Sequence, residues 1–264
     1  MKILLSDMDG TIIDGYDVKH EKDCEMLHEL RKHGHLVAFN TGRNLQEAFF
    51  AIDQHHFPYD YLILNNGAHI VDNQGKELFK KVIPQKIGRQ IIEYSMKFDN
   101  VMIYFFNGTR TIGYYQGKTI EHTHLGHIEI DDVDFIEEYQ KAQSFDIIAV
   151  NQDDEGIETS LQIQKYIADH YGEYAIGTLN THYLDITAQG CSKGSGMHQL
   201  LKMLDDPIDE TYAIGDSYND LSMIKEANFG YTFHHAHDDI KQATKYHVNY
   251  VYQVIEDMLR GEMK

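Results

Sequence analysis

The sequence predicts an α/β protein: a doubly wound parallel-sheet core interrupted by an inserted α+β domain. Three observations predict it. Short apolar runs, Ile3-Leu4-Leu5, Leu36-Val37-Ala38-Phe39 and Tyr61-Leu62-Ile63-Leu64, alternate with helical periodicity, as strands covered on both faces do. Each run ends in a polar, glycine-containing cluster: Ser6-Asp7-Met8-Asp9-Gly10-Thr11, Asn40-Thr41-Gly42-Arg43 and Asn65-Asn66-Gly67-Ala68. Hairpin signals then replace the rhythm, and it resumes near Lys193.

Taken in order, residues 2–6 form a buried strand. Residues 20–33 form a helix, with Cys24, Leu27, Leu30 and Arg31 at helical spacing and Gly34 at its end. A strand at 36–39, a helix at 45–54 and a strand at 61–64 follow. Residues 69–71 and 77–79 flank Asn73-Gln74-Gly75 as a hairpin, and 101–106 and 111–115 flank Asn107-Gly108 as another. Between them, 85–98 is a helix with Ile87, Ile91, Ile92 and Met96 on one side. A helix at 132–141, a strand at 146–151, a helix at 157–171 and strands at 174–178 and 182–186 complete the mixed region. Then come a helix at 193–204, a strand at 211–214, a helix, a strand at 229–231 and two helices, the last at 251–260. The expected division is a core of 1–80 and 186–264 with an insertion of 81–185.

Composition sets bounds. The chain has 264 residues, 42% of them hydrophobic and 11% aromatic, which is ample for a packed core. Three prolines and no Ser/Gly-rich tract leave no sign of a flexible linker. The net charge of −19, from 23 basic against 42 acidic residues, suits nucleic acid poorly as a partner. Cys24 and Cys191 match no metal or redox spacing, so a reduced setting is expected. Met1-Lys2-Ile3 leads directly into a strand, and no apolar run reaches membrane-spanning length. The expectation is a soluble, cytoplasmic monomer or homodimer with no membrane partner.

The candidate chemistry lies at the strand ends. Asp7 and Asp9 are two residues apart just past a strand end, so strand alternation points both carboxylates the same way, side by side, and Gly10 permits a sharp turn. Acids that close need a cation or a shared proton. Alone, the pair reads as an ordinary acidic turn capping the next helix. Two further clusters, Thr41/Gly42/Arg43 and Asp216/Asn219/Asp220, end other strands, and Lys193 opens a helix after Gly190-Cys191-Ser192. In a parallel sheet these ends share one edge. Four carboxylates favour a hard, oxygen-seeking ion such as Mg²⁺. A hydroxyl, backbone N–H groups at the Thr41-Gly42 turn and an ammonium suit a phosphate. The sum is a phosphoryl-transfer site.

This set resembles the haloacid dehalogenase superfamily. DMDGT at 7–11, Thr41 in FNTGR, Lys193 in GCSKG and GDSYND at 215–220 read in order as its four motifs. NNGA at 65–68 and DITAQGCSKG at 185–194 are similar to its Cof-type sugar-phosphatase branch, whose members carry a large cap between the second and third motifs. The resemblance implies a Rossmann-like core and Mg²⁺-dependent hydrolysis of small phosphorylated metabolites through an aspartyl-phosphate. It makes Asp7 the nucleophile and Asp9 the acid and base. Thr41, Gly42 and Lys193 hold the phosphoryl group, and Asn219 supports that side. Asp7, Asp216 and Asp220 hold the metal, with the Asp9 backbone carbonyl. An acid at Asp9 separates phosphatases from the dehalogenases. A phosphomutase or phosphotransferase, or a non-catalytic phospho-metabolite sensor, are the alternatives. One departure stands out: His235 occupies the place of an Asn common in Cof-like chains.

Other side chains carry two readings each. Arg43 reaches the substrate phosphate or pairs locally. His122, His124 and His127 have no fourth ligand in a recognised zinc pattern, so a polar loop is expected. His234, His235 and His237 read as a solvated helix start. Tyr104, Phe105, Phe106, Tyr114 and Tyr115 read as core of the inserted domain rather than a substrate grip. Cys191 reads as structural, and Ser6 and Thr11 as partners of nearby backbone.

Overall fold

A computed structural model describes residues 1–14, 17–120, 133–152, 157–180 and 183–260. His122, His124 and His127 lie outside the described residues. The chain forms two compact units. Met1–Arg43, Ala48–Lys80 and Ser192–Lys264 make the first, and Asn44–Glu47 with Lys81–Cys191 make the second. The return crossing therefore falls at Cys191/Ser192, not at the expected 185/186. The strand Leu184–Ala188 spans the expected point, and it pairs with Ile147–Gln152 and Ala175–Leu179 in the second unit's sheet.

The first unit is built on an eight-stranded sheet. Its order is Tyr246–Val248, Phe229–Phe233, Glu210–Ile214, Lys2–Ser6, Leu36–Asn40, Tyr61–Leu64, His69–Asp72 and Glu77–Lys80. The run from Tyr246–Val248 to Tyr61–Leu64 is parallel. The two last strands are antiparallel, so the expected hairpin extends this sheet. The reversal is local: Asn65, Asn66 and Gly67 all have positive φ, which brings His69 opposite Leu64. Tyr246–Val248 was not expected as a strand, since its three residues are too few to show a period.

Alternation along the strands assigns the two faces. Ile3 and Leu5 join Ala38, Ile63, Met197, Leu200, Ala213 and Met223 in one buried cluster, under the helices Lys193–Met203 and Leu221–Glu226. The helices Glu21–Lys32 and Val251–Met258 pack together and against the strands of the same sheet. Helices of these lengths are marginal alone and are fixed by this burial.

The second unit holds a six-stranded antiparallel sheet. The helices Gln85–Ser95, Phe135–Lys141 and Glu158–Tyr171 accompany it. Phe105 meets Phe135 and Phe145 at ring-centroid separations of 5.3 and 5.4 Å, and Tyr114 packs on Phe135. The aromatic run thus contributes to core packing, as strand propensity led us to expect. Among the described residues no helix is long and apolar enough to cross a membrane.

Candidate active site

Strand register builds the site. Lys2–Ser6 lies between Glu210–Ile214 and Leu36–Asn40, with Ser6 level with Ile214 on one side and Phe39 on the other. The residues that follow these parallel strands, Asp7, Thr41 and Asp216, emerge at one edge. Lys193 opens the helix Lys193–Met203, whose first turn is closed by a reciprocal Ser192/Ser195 capping box. Asn40 Nδ2 donates to the Lys193 carbonyl at 2.8 Å, which ties this helix start to a central strand end.

At the centre is a buried charge cluster. Lys193 Nζ donates to Asp7 Oδ1 at 2.5 Å and to Asp220 Oδ1 at 2.6 Å. The lysine and both carboxylates are almost wholly withdrawn from solvent. Burial alone would push Lys193 down, but Asp220 and then Asp7 more than offset it, and its pKa is raised. Asp220 is itself clamped: its Oδ2 accepts from the Asp216 and Ser217 N–H groups at 3.0 and 2.9 Å. That clamp explains Gly215, since a Cβ there would run into the Asp220 carboxyl.

Asp7, Asp216 and Asp220 place one carboxylate oxygen each within 4.8 Å of one another. Burial, then Asp220, push Asp7 well above the usual carboxylate range, with Asp216 and Asp9 adding to it and Lys193 opposing. Burial and Asp220 push Asp216 up to about 6, although Lys193, Thr11 and Lys19 draw it down. One ammonium does not neutralise three carboxylates. The donor set is oxygen only, and Gly10 (φ +73°) stands where a Cβ would collide with the Asp216 carboxylate. An over-acidic, all-oxygen cluster beside a gap kept by glycine fits a hard divalent cation.

Asp9 departs from expectation. The strand ends at Ser6, so side-chain alternation does not carry on to Asp9. Ile12 and Ile13 N–H groups close a tight turn on the Met8 carbonyl. Asp7 faces inward, while the Asp9 side chain is 54% exposed. Arg43 grips it at two points: Nε to Oδ2 at 2.7 Å and Nη2 to Oδ1 at 2.7 Å. This ion pair is not the local pairing expected at the start of the following helix, since Asp9 lies 34 residues away in sequence.

Thr41 is buried. Its N–H donates to Ile63 O and its carbonyl accepts from Asn66 N–H, while Oγ1 accepts from the Arg43 N–H at 3.2 Å. Asn219 Nδ2 donates to Asn66 Oδ1 at 3.0 Å, so Asn219 joins the Thr41 turn through Asn66. The Asn219 Oδ1 is buried and accepts no hydrogen bond among the described residues. Gly42 lies between Thr41 and Arg43 at this turn.

Some assignments need correction. Thr11 was expected to bond local backbone, yet its Oγ1 donates to Asp216 Oδ1 at 3.1 Å. Ser6 does stay local, donating to the Asp7 carbonyl. His235 is not merely solvated: it stacks on Phe233, and its Nε2 lies 3.3 Å from Lys19 Nζ. Burial and Lys19 lower its pKa. His237 does cap the helix Asp238–Ala243. Cys191 is buried, and burial raises its thiol pKa, which fits a structural role. Lys19, whose Nζ also donates to the Gly10 carbonyl, was missed by sequence reasoning. A lone Lys just after the unrecognised two-residue strand Asp17–Val18 gives no sequence signal.

An α/β core with buried acids and a lysine at parallel strand ends defines a class of phosphoryl-transfer proteins. Residues 4–253 match the haloacid dehalogenase-like hydrolase family, and the chain belongs to it. Among curated relatives, phosphatase YwpJ of Bacillus subtilis is 25% identical over 271 residues, covering 91% of this chain and 92% of YwpJ. The HMP-PP phosphatase of Yersinia pseudotuberculosis is 26% identical over 242 residues, covering 89% of this chain and 85% of its own. The same fold is found in SMU.1108c of Streptococcus mutans (TM-score 0.77, 22% identity, 98% of this chain and 99% of that one). It is also found in BT4131, a subclass IIB sugar phosphatase (TM-score 0.74, 20% identity, 99% of both chains).

Proposed function

We propose that this protein is a Mg²⁺-dependent phosphatase that hydrolyses small phosphorylated metabolites, sugar phosphates first, through an aspartyl-phosphate on Asp7. The observation that carries the reading is the buried Asp7–Lys193–Asp220 cluster with Asp216 beside it. The phosphatase names of the curated relatives support it. The sugar-phosphate preference rests on the Cof-like motifs and on the activity of BT4131.

Lys193 fixes the Asp7 carboxylate, and one of its oxygens attacks phosphorus. The bond from phosphorus to the ester oxygen breaks, and that oxygen takes a proton from Asp9. Water then attacks the phosphoryl group and gives a proton to Asp9, and Asp7 is released as a carboxylate. Thr41, the Gly42 backbone and Lys193 hold the transferring group, with Asn219 bracing the Thr41 turn through Asn66. Mg²⁺, held by Asp7, Asp216, Asp220 and the Asp9 carbonyl, would neutralise phosphate oxygens. The second unit is assigned substrate selection, as in family members with a large cap.

The test is phosphate release from a panel of sugar phosphates, nucleotides and p-nitrophenyl phosphate, with Mg²⁺ or EDTA, for the wild type and Asp7→Asn. The expected release requires both Mg²⁺ and Asp7. Wild-type activity in Asp7→Asn would remove the nucleophile assignment. An acceptor-dependent product without free phosphate would make the protein a phosphotransferase, and a ligand-induced melting shift without turnover would make it a sensor.

A further inference from the structure

We infer that Lys19 is a counter-charge of the metal site, steadying the acid cluster before a divalent cation binds and weakening the hold on that cation once bound; this rests on the Mg²⁺ part of the reading above. The cluster supplies the need. Asp7, Asp216 and Asp220 are answered by one bonded ammonium, that of Lys193. A second cation close by is attracted to this excess of negative charge. It is repelled once a divalent ion neutralises the carboxylates.

Local structure brings Lys19 to the site. The strands Ile13–Asp14 and Asp17–Val18 pair as a short hairpin, with Ile13 opposite Val18. The chain thereby returns beside the first-motif turn, where the Lys19 N–H donates to the Ile12 carbonyl at 3.0 Å. From there Lys19 Nζ donates to the Gly10 carbonyl. Gly10 lies directly against Asp216, since a Cβ on it would come within 2.4 Å of Oδ2. One hydrogen bond and one residue's breadth thus separate the ammonium from that carboxylate, a span of at most about 9 Å. Asp216 responds to it: Lys19 draws its carboxyl down, against the effect of burial.

Among the described residues, the groups that hold the ammonium are all uncharged. Besides the Gly10 carbonyl they are the His235 ring, whose Nε2 lies 3.3 Å from Nζ, and the Phe233 face, with its centroid 5.1 Å away. An ammonium only donates, so His235 accepts through Nε2 and is neutral in this arrangement. A carboxylate partner would cancel most of the charge. A carbonyl, an imidazole and an aromatic face fix the charge in place without cancelling it. His235, which departs from the Asn common in Cof-like chains, is part of this cradle.

The test reads Mg²⁺ affinity and stability together. Mg²⁺ is titrated calorimetrically into metal-free wild type, Lys19→Met, Lys19→Gln and Lys19→Arg, and thermal unfolding is followed in EDTA and in saturating Mg²⁺. Lys19→Met removes the charge, Lys19→Gln removes it but keeps an N–H donor, and Lys19→Arg keeps it. A unit charge at this range from a dication site, in water-like surroundings, changes affinity roughly three- to tenfold. We expect Lys19→Met and Lys19→Gln to bind Mg²⁺ tighter by that factor, and Lys19→Arg to stay within about twofold of the wild type. Both neutral variants should lose more stability in EDTA than in Mg²⁺, and the difference should match the affinity ratio, because the two are linked. The same charge also reaches Asp23, but that effect is common to both states and cancels in the difference. High salt should shrink the ratio, since Lys19 is only half-buried.

Unchanged or weaker Mg²⁺ binding in the two neutral variants would overturn the inference and leave Lys19 as a tether of the Gly10 turn. An arginine variant that behaves like them, or a stability loss equal in EDTA and Mg²⁺, would do the same. If the wild type binds no Mg²⁺, or Asp216→Asn binds it equally well, the metal reading itself fails and this inference with it. Mg²⁺ binding that depends on Asp216 but not on the charge at Lys19 removes this inference only.

Discussion

Asp23→Asn should reverse a pH-dependent weakness built into the first unit. Asp23 lies in the first turn of the helix Glu21–Lys32, yet it is fully buried. Its Oδ1 accepts from the Tyr252 N–H at 2.7 Å, capping the start of the helix Val251–Met258 from across the structure. Its Oδ2 is buried and accepts no hydrogen bond among the described residues. Burial raises the carboxyl from 3.8 to about 6, although the Tyr252 N–H, His20 and Lys19 oppose it. The folded pKa lies above the unfolded one. Below about 4 both states are protonated and nothing is lost. Between about 4 and 6 the folded state holds the extra proton, so stability falls as pH rises, and above about 6 the full cost applies. A shift of about two units corresponds to about 3 kcal/mol. The Asn variant keeps the acceptor for Tyr252 and loses the charge. It also buries an amide N–H₂ where Oδ2 stood, at a pH-independent cost of about 1–3 kcal/mol. The decisive quantity is therefore the change with pH of the stability difference between variant and wild type. Urea denaturation followed by far-UV circular dichroism at steps from pH 4 to 7 measures it. The variant should gain on the wild type by up to about 3 kcal/mol across this range. A difference that does not change with pH, or that favours the wild type as pH rises, would refute the argument.

Three further outcomes test the buried charge cluster proposed as the active site. Lys193→Met should abolish turnover and destabilise the fold by about 3–5 kcal/mol, since it strands Asp7 and Asp220 as buried charges; thermal unfolding and phosphate release check the two effects separately. Mg²⁺ at a hundredfold over its dissociation constant should stabilise the wild type by about 2.7 kcal/mol in thermal unfolding, and Asp216→Asn should lose most of that gain. Gly10→Ala should cost more than about 1 kcal/mol and weaken the Mg²⁺-dependent shift, because φ is +73° and the added methyl meets the Asp216 carboxylate.

Much of this protein is written in its local sequence. Apolar runs of strand length and helical spacing identify the elements, because burial on two faces or on one stripe leaves a direct mark on residue order. Asp7, Thr41, Lys193 and Asp216 are legible for the same reason. Each lies within two residues of the end of a buried strand or opens a helix, and a parallel sheet puts its strand ends on one edge. The hairpin at 69–79 was legible as a hairpin, but its membership of the core sheet depended on the positive φ values at Asn65 and Asn66.

Tertiary structure decided what no local pattern records. The direction of Asp9 turned on where the strand stopped and on a guanidinium 34 residues away. Thr11 found a partner 205 residues distant in Asp216, and Asp23 one 229 residues distant in Tyr252. A short polar side chain in a turn or first helical turn bonds local backbone by default. It makes a long-range bond only where packing brings a buried partner within reach and excludes the water that would otherwise compete. Sequence order therefore determined which chemical groups this protein owns and which strand ends carry them. Only the folded chain decided which of those groups are withdrawn from water, and so which charges must answer one another.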